Sequence, residues 1–123
     1  MQIQEVERES GVNLPDLLAR MAYDGELLRE ILELFKEEFP KSGLSLRQAM
    51  ERGDLQQVRN EAHNLKGMLA GLSMIEGASS ATRIERMAIE CAPQGILEEL
   101  ACLVRCVAVA QLTLERACRE LNG

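Results

Sequence analysis

Aromatic residues are nearly missing from this chain, with two Phe, one Tyr and no Trp in 123 residues. A core must therefore be assembled from Leu, Ile, Val, Ala and Met, the material of a helical bundle. Positive charge is also short: Lys and Arg number 14 against 20 Asp and Glu, a formal net charge of −6. That balance, without stacking aromatics, excludes the basic face of a nucleic-acid-binding protein. Clustered β-branched residues, the mark of strands, are absent. Charges interrupt every apolar stretch well before the eighteen or so residues a membrane span needs, and no basic-then-apolar leader opens the chain. The expectation is a soluble, cytoplasmic protein. Histidine occurs once, as His63.

What remains is leucine-rich and periodic, in a length that supports one domain with one core. Proline occurs only at Pro15, Pro40 and Pro93, each near an expected helix start or bend. The pattern predicts a short helix over 13–22 introduced by Asn13, with Pro15 in its first turn. A helix over 25–52, bent at Pro40 and Gly43, follows. Next come a helix over 54–72 with Asp54 as its N-cap, one over 75–92, and a last one over 95–121. In the last, Leu100, Leu103, Val107, Ala110, Leu114, Ala117 and Leu121 recur at steps of three and four. Short connections between long amphipathic helices favour up-and-down packing. The fold class is accordingly all-α: an antiparallel up-and-down four-helix bundle with a short additional N-terminal helix. Residues 1–11 are polar and expected to form a flexible N-terminal segment, with the bundle domain over 12–122. The last helix is apolar around more than half its circumference, since Val104, Ala108, Val109 and Leu112 lie outside the main stripe. A wide buried face accounts for them, with self-association as the alternative, and a monomer is expected.

The four cysteines are Cys91, Cys102, Cys106 and Cys118. Cys102 and Cys106 share a helix face at i, i+4, but there is no C-x-x-C and the one histidine lies elsewhere. They read as free, partly buried thiols in a reducing compartment, and no metal site is expected. Met50, Met74 and Met87 fit as core filler, whereas Met68 is placed to border a binding surface.

The helix around His63 is the most informative segment. Leu55, Val58, Ala62, Leu65, Leu69 and Leu72 form its buried stripe, and at about 100° per residue His63 lies roughly 130° from the middle of it. The imidazole must face solvent. Residues three and four away are its neighbours on a helix, so Arg59, Lys66, Gly67 and Ala70 surround it, with Gln56 and Asn60 one step further out. Two cations then flank the ring, and the acids of this helix, Asp54 and Glu61, fall elsewhere, so the face is expected to carry no carboxylate. Gly67 costs about 1 kcal/mol relative to alanine inside a helix; its benefit is room for another surface one turn beyond the ring. Each residue alone is ordinary. Together they suit one operation: a neutral imidazole nitrogen is a good nucleophile near pH 7, a nearby cation discourages its protonation, and the same cation can steady phosphoryl oxygens during transfer.

Ala62, His63, Leu65, Lys66 and Gly67 resemble, without a gap, the A-H-x-L-K-G motif of the histidine phosphotransfer (HPt) domain family of multistep phosphorelays. The resemblance runs from about residue 12 to 122. Asp24-Gly25-Glu26-Leu27-Leu28, then Leu32, Phe35 and Phe39, look like the family's lead helix. Gly53-Asp54 looks like its turn into the histidine helix, and Ile84-Glu85 like the Leu-Glu step of the next one. Two departures follow the motif. Leu69 and Met74 are bulkier than usual, so packing there must differ, and Gly71 stands in place of an asparagine that could make a polar docking contact.

The resemblance implies a phosphocarrier, not an ATP-dependent enzyme. It accepts a phosphoryl group from the aspartate of one receiver domain, that of a hybrid sensor kinase, and passes it to the aspartate of another, that of a response regulator. His63 would carry the group, Lys66 would help electrostatically and Gly67 would admit the receiver, with Gln56, Arg59, Asn60 and Ala70 at the docking surface. Receiver sites in such relays are acidic and metal-loaded, which suits a locally basic face. No nucleotide-binding loop is present and no cofactor is expected. Nucleic acid and membrane are not expected partners. The alternatives are a non-catalytic helical adaptor and an inhibitory docking domain that binds a sensor kinase or receiver without carrying phosphate. The initial Met and polar start favour a free-standing protein over a segment of a hybrid kinase.

Overall fold

A computed structural model describes residues 11–123. The expected flexible segment over 1–11 therefore lies almost wholly outside the described residues. Gly11 itself is bound, its carbonyl accepting from the Ile75 amide at 2.8 Å. Five helices follow among the described residues: α1 (Leu14–Arg20), α2 (Gly25–Arg52), α3 (Leu55–Gly71), α4 (Ile75–Ile89) and α5 (Ile96–Leu121). Their β content is an isolated bridge between Val12 and Met74.

Local chemistry sets the helix starts. The side chains of Asn13, Asp24 and Asp54 each accept a backbone N–H three residues on, from Asp16, Leu27 and Gln57, and such caps are worth about 1 kcal/mol each. Helix α2 is continuous through Pro40 and ends at Gly53, whose φ of 72° is the left-handed conformation that terminates helices. Gly53 and Asp54 thus form a two-residue turn that stops α2 and caps α3 at once.

The four long helices close a ring in which α3 borders α2 and α4, and α5 borders α2 and α4. The core lies on their shared axis. It is built from Leu28, Leu32, Phe35, Phe39 and Leu46 of α2, Val58, Ala62, Leu65 and Leu69 of α3, Ala81, Ile84 and Ala88 of α4, and Leu100, Leu103, Val107, Ala110 and Leu114 of α5. The two Phe rings stack with centroids 5.1 Å apart. Met74 is fully buried, while Met50 and Met87 pack partly buried against the core. Leu69 finds its space because Gly77 faces it: a Cβ on Gly77 would lie 3.4 Å from Leu69 Cδ1. The glycine on α4 thereby accommodates the unusually large residue on α3.

Helix α1 packs Leu14 and Leu17 into the same core and is tied to the α3–α4 turn by polar bonds. Arg20 donates to Ser73 Oγ, Ser73 Oγ donates to Asp16 Oδ2 at 3.0 Å, and the Asn13 amide donates to the Ser73 carbonyl at 2.9 Å. The end of the histidine helix is anchored by this clamp.

One part of the sequence reading fails here. Val104, Ala108, Val109 and Leu112 are exposed, so α5 does not bury a wide face. With only α2 and α4 as neighbours, the opposite side of α5 faces away from the bundle. No helix of the described residues is long and apolar enough to cross a membrane.

Candidate functional site

Helix α3 turns Val58, Ala62, Leu65 and Leu69 inward, which fixes its rotation and presents His63 outward with its side chain 66% exposed. The ring is nonetheless held. Glu85, on the adjoining face of α4, places Oε2 2.9 Å from His63 Nδ1 and Oε1 3.3 Å from Lys66 Nζ. The Glu85 side chain is itself only 16% exposed, set beside buried Ile84 and rooted in the bundle.

This carboxylate corrects the expectation of a histidine face without acids. Reasoning along α3 alone identified the acids of that helix and had no means of seeing one delivered by α4. Burial pushes the Glu85 carboxyl up, but the hydrogen bonds and charges of His63 and Lys66 outweigh that and hold it below the usual carboxylate range. Glu85 is therefore ionised at neutral pH and can only accept. The neutral ring must then carry its proton on Nδ1, leaving the Nε2 lone pair free. Orientation and tautomer are set by one contact, the same logic by which a carboxylate positions a catalytic imidazole.

The residues expected around His63 divide into three surfaces. Gln56, Arg59, Asn60, His63, Asn64 and Glu85 line one polar hollow of about 420 Å³, in which Gln56 Nε2 donates to Asn60 Oδ1 at 3.3 Å. Gly67 opens instead onto an apolar groove of about 390 Å³ between α2 and α3, shared with Ile31, Leu34, Phe35, Met68 and Leu72. Met68 borders this surface groove. Ala70 belongs to neither, lining a separate cleft with Lys66, Ser73 and Thr82 near α1. A Cβ added to Gly67 would meet nothing within 4 Å, and the same holds for Gly71. The room inferred from Gly67 is real space above the helix. Sequence reasoning missed Asn64 and the α2 side of the groove, where Leu34 is exposed. A signal for Leu34 was available: Leu27, Ile31 and Leu34 continue an apolar row one step outside the core stripe of α2.

Among the described residues no cluster of three or more His, Cys, Asp or Glu side chains could hold a metal ion. All four cysteines are free, with Cys118 buried, Cys102 and Cys106 half-buried and Cys91 exposed. Burial, reinforced by Cys102, pushes the Cys106 thiol up, away from the thiolate form.

The arrangement amounts to an oriented, solvent-facing imidazole nitrogen, a carboxylate behind the ring, an ammonium beside it and an unobstructed approach. A sequence model described as the Hpt domain matches residues 30–121. No curated protein and no solved structure matches the chain.

Proposed function

The chain belongs to the Hpt domain family, whose members act as histidine phosphotransfer modules in phosphorelays, and from that premise we propose that His63 Nε2 carries a phosphoryl group between the aspartates of two receiver domains, one on a hybrid sensor kinase and one on a response regulator. The observation that carries this reading is the Glu85 carboxylate bridging His63 Nδ1 and Lys66 Nζ.

In the forward step the Nε2 lone pair attacks the phosphorus of an aspartyl phosphate. The N–P bond forms, the P–O bond to the aspartate breaks, and the aspartate leaves as a carboxylate. Because Nδ1 keeps its proton, the ring gains positive charge as the bond forms, and Glu85 sits where that charge is best offset. Lys66 lies one helical turn from the ring and balances the negative phosphoryl oxygens. Transfer to the second receiver reverses each step, so no proton need leave the site. Gly67 and the apolar groove beside it let the receiver approach to bonding distance, and Arg59, Asn60 and Gln56 line the hollow at its rim. The chemistry is that of a carrier, with ATP consumed elsewhere.

The test is a transfer profile. Incubated with the phosphorylated receivers of the same cell, the protein should acquire acid-labile, alkali-stable phosphate and lose it to a second receiver. His63→Gln should abolish uptake with helicity unchanged, since an exposed polar substitution shifts stability by no more than about 0.5 kcal/mol. A protein that binds receivers but never carries phosphate is an adaptor, and that result overturns the reading, as does a His63→Gln variant that is still labelled.

A further inference from the structure

The polar hollow beside His63 has one permanent cation among its lining residues, and it is not Lys66. Gln56, Arg59, Asn60, His63, Asn64 and Glu85 line this space of about 420 Å³, whereas Lys66 lines the separate cleft toward α1. Arg59 stands one helical turn before the ring, about 6 Å along α3 and roughly 40° around it, and Lys66 stands one turn after it. The two cations differ in what they already hold. Lys66 Nζ lies 3.3 Å from Glu85 Oε1, whereas exposed Arg59 forms no ion pair among the described residues.

The charges show what a second cation contributes. With the ring neutral, Lys66 and Glu85 cancel and the site has no net charge. When an aspartyl phosphate gives up its phosphoryl unit, the electron pair of the broken P–O bond stays with the aspartate, and the unit brings one negative charge to the site. The ring keeps its Nδ1 proton, and Lys66 is already matched by Glu85. The loaded site is therefore one charge negative. Arg59 supplies the missing positive charge on a planar fork that can donate to two phosphoryl oxygens at once. The neighbouring carboxamides add a neutral donor. Gln56 Nε2 donates to Asn60 Oδ1 at 3.3 Å, which directs the Asn60 amino group away from Gln56 and leaves it to donate elsewhere.

Resting on the reading of His63 as a phosphoryl carrier, we propose that Arg59, with the Asn60 amino group beside it, seats the phosphoryl group on His63 while the protein passes from one receiver to the next. The hollow is then the place where the loaded protein holds its phosphate, and receiver contact falls to Gly67 and the apolar groove. Arg59 acts when no receiver is bound, which separates this role from docking.

Phosphoramidate tests the proposal without a receiver. Its P–N bond breaks as the bond from phosphorus to His63 Nε2 forms, and ammonia leaves. The loaded parent should show a phosphohistidine resonance in phosphorus NMR that His63→Gln lacks. Arg59→Gln should load about threefold more slowly, the effect of one solvent-screened charge pair. The titration of its phosphorus resonance should lie at higher pH than the parent's, because the phosphoryl dianion has lost a cation. Arg59→Glu should move both readouts further the same way, and Arg59→Lys should stay close to the parent. Arg105→Gln removes an equal charge from an exposed site on α5, which does not border α3, and should move neither. At about 1 M salt the differences should fade, and circular dichroism should be the same for every variant. A parent that takes phosphate from neither phosphoramidate nor a phosphorylated receiver overturns the carrier reading itself. A loaded Arg59→Gln protein whose resonance titrates with the parent's overturns this proposal alone and leaves Arg59 to receiver docking.

Discussion

Removing the Glu85 carboxylate isolates what a fixed imidazole contributes. Glu85→Ala deletes one charge-assisted hydrogen bond to His63 Nδ1 and one to Lys66 Nζ and leaves both partners on their helix. A hydrogen bond involving a charged group is worth about 1.5–3 kcal/mol. The His63 side chain is 66% exposed, and solvent screening places this bond at the lower end, about 1.5 kcal/mol. Since about 1.4 kcal/mol corresponds to a factor of ten in rate, single-turnover transfer within the receiver complex should fall about tenfold. Receiver affinity should change little, because Glu85 faces the ring rather than the apolar groove. Glu85→Gln keeps an amide oxygen that can accept from Nδ1 and loses only the charge, so it should recover part of the rate and stay about threefold below the parent.

Rapid-quench measurement of radiolabelled phosphoryl transfer from a saturating phosphorylated receiver reads this directly, with a separate titration for affinity. Equal rates for parent and Glu85→Ala would show that the ring needs no support. A faster Glu85→Ala would be worse for the argument. It would mean that the carboxylate restrains Lys66, and that freeing the ammonium matters more than orienting the imidazole.

Other perturbations separate the remaining roles. Lys66→Ala should slow transfer within the complex more than it weakens docking, because its part is to balance charge on the moving group; lost binding with an unchanged single-turnover rate would make it a docking residue. Gly67→Ala should raise stability by up to about 1 kcal/mol, since a Cβ there meets nothing within 4 Å. Gly67→Gln should fold at least as well as the parent in thermal melts yet transfer poorly to every receiver, and normal transfer by that variant would refute the access role. Glu99 bridges α4 and α5: the hydrogen bond from Arg83 holds its carboxyl low, against burial and with help from Ser80. A lowered carboxylate contributes stability that is full above its unfolded value and lost as pH falls through the folded one. The stability gap between parent and Glu99→Gln, about 1–2 kcal/mol by urea titration, should be flat at neutral pH and close below about pH 4.5.

Helix positions were legible because each rests on short-range chemistry. Asn13, Asp24 and Asp54 cap the helices they precede, and the three-and-four spacing of α3 predicted its buried residues one by one. What periodicity cannot decide is how wide the buried face of a helix is, since that depends on how many neighbours it has. Val104 and Leu112 are as apolar as Val107 and Leu114. They differ in that α5 packs against two helices and not three, and a bundle of four with a short fifth helix on another side supplies no third.

The same limit explains the unequal legibility of the site. His63, Lys66 and Gly67 lie on one helix, where spacing alone fixes which side chains are neighbours, so their grouping followed from sequence. Glu85 reaches them across a helix–helix contact, and its role depends on the rotation and axial offset of α4 against α3. The rotation was recoverable: Gly77, Ser80, Ala81, Ile84 and Ala88 are the buried residues of α4, which puts Glu85 at an edge of its core face, where a side chain borders a neighbouring helix. Two neighbours flank α4, however, and periodicity is symmetric between them. The offset is symmetric in the same sense, since any turn of α4 could have stood beside His63. Leu69 marks the register found: it packs against Gly77, where a Cβ would lie 3.4 Å from Leu69 Cδ1, and Glu85 lies eight residues beyond Gly77, about 12 Å at 1.5 Å per residue. His63 lies six residues back from Leu69, about 9 Å along a neighbouring helix. If α4 returns alongside α3, the offsets differ by about two residues, within reach of a glutamate side chain. The contact of Leu69 with Gly77 thus belongs to the same register of α3 on α4 that brings the carboxylate to the ring.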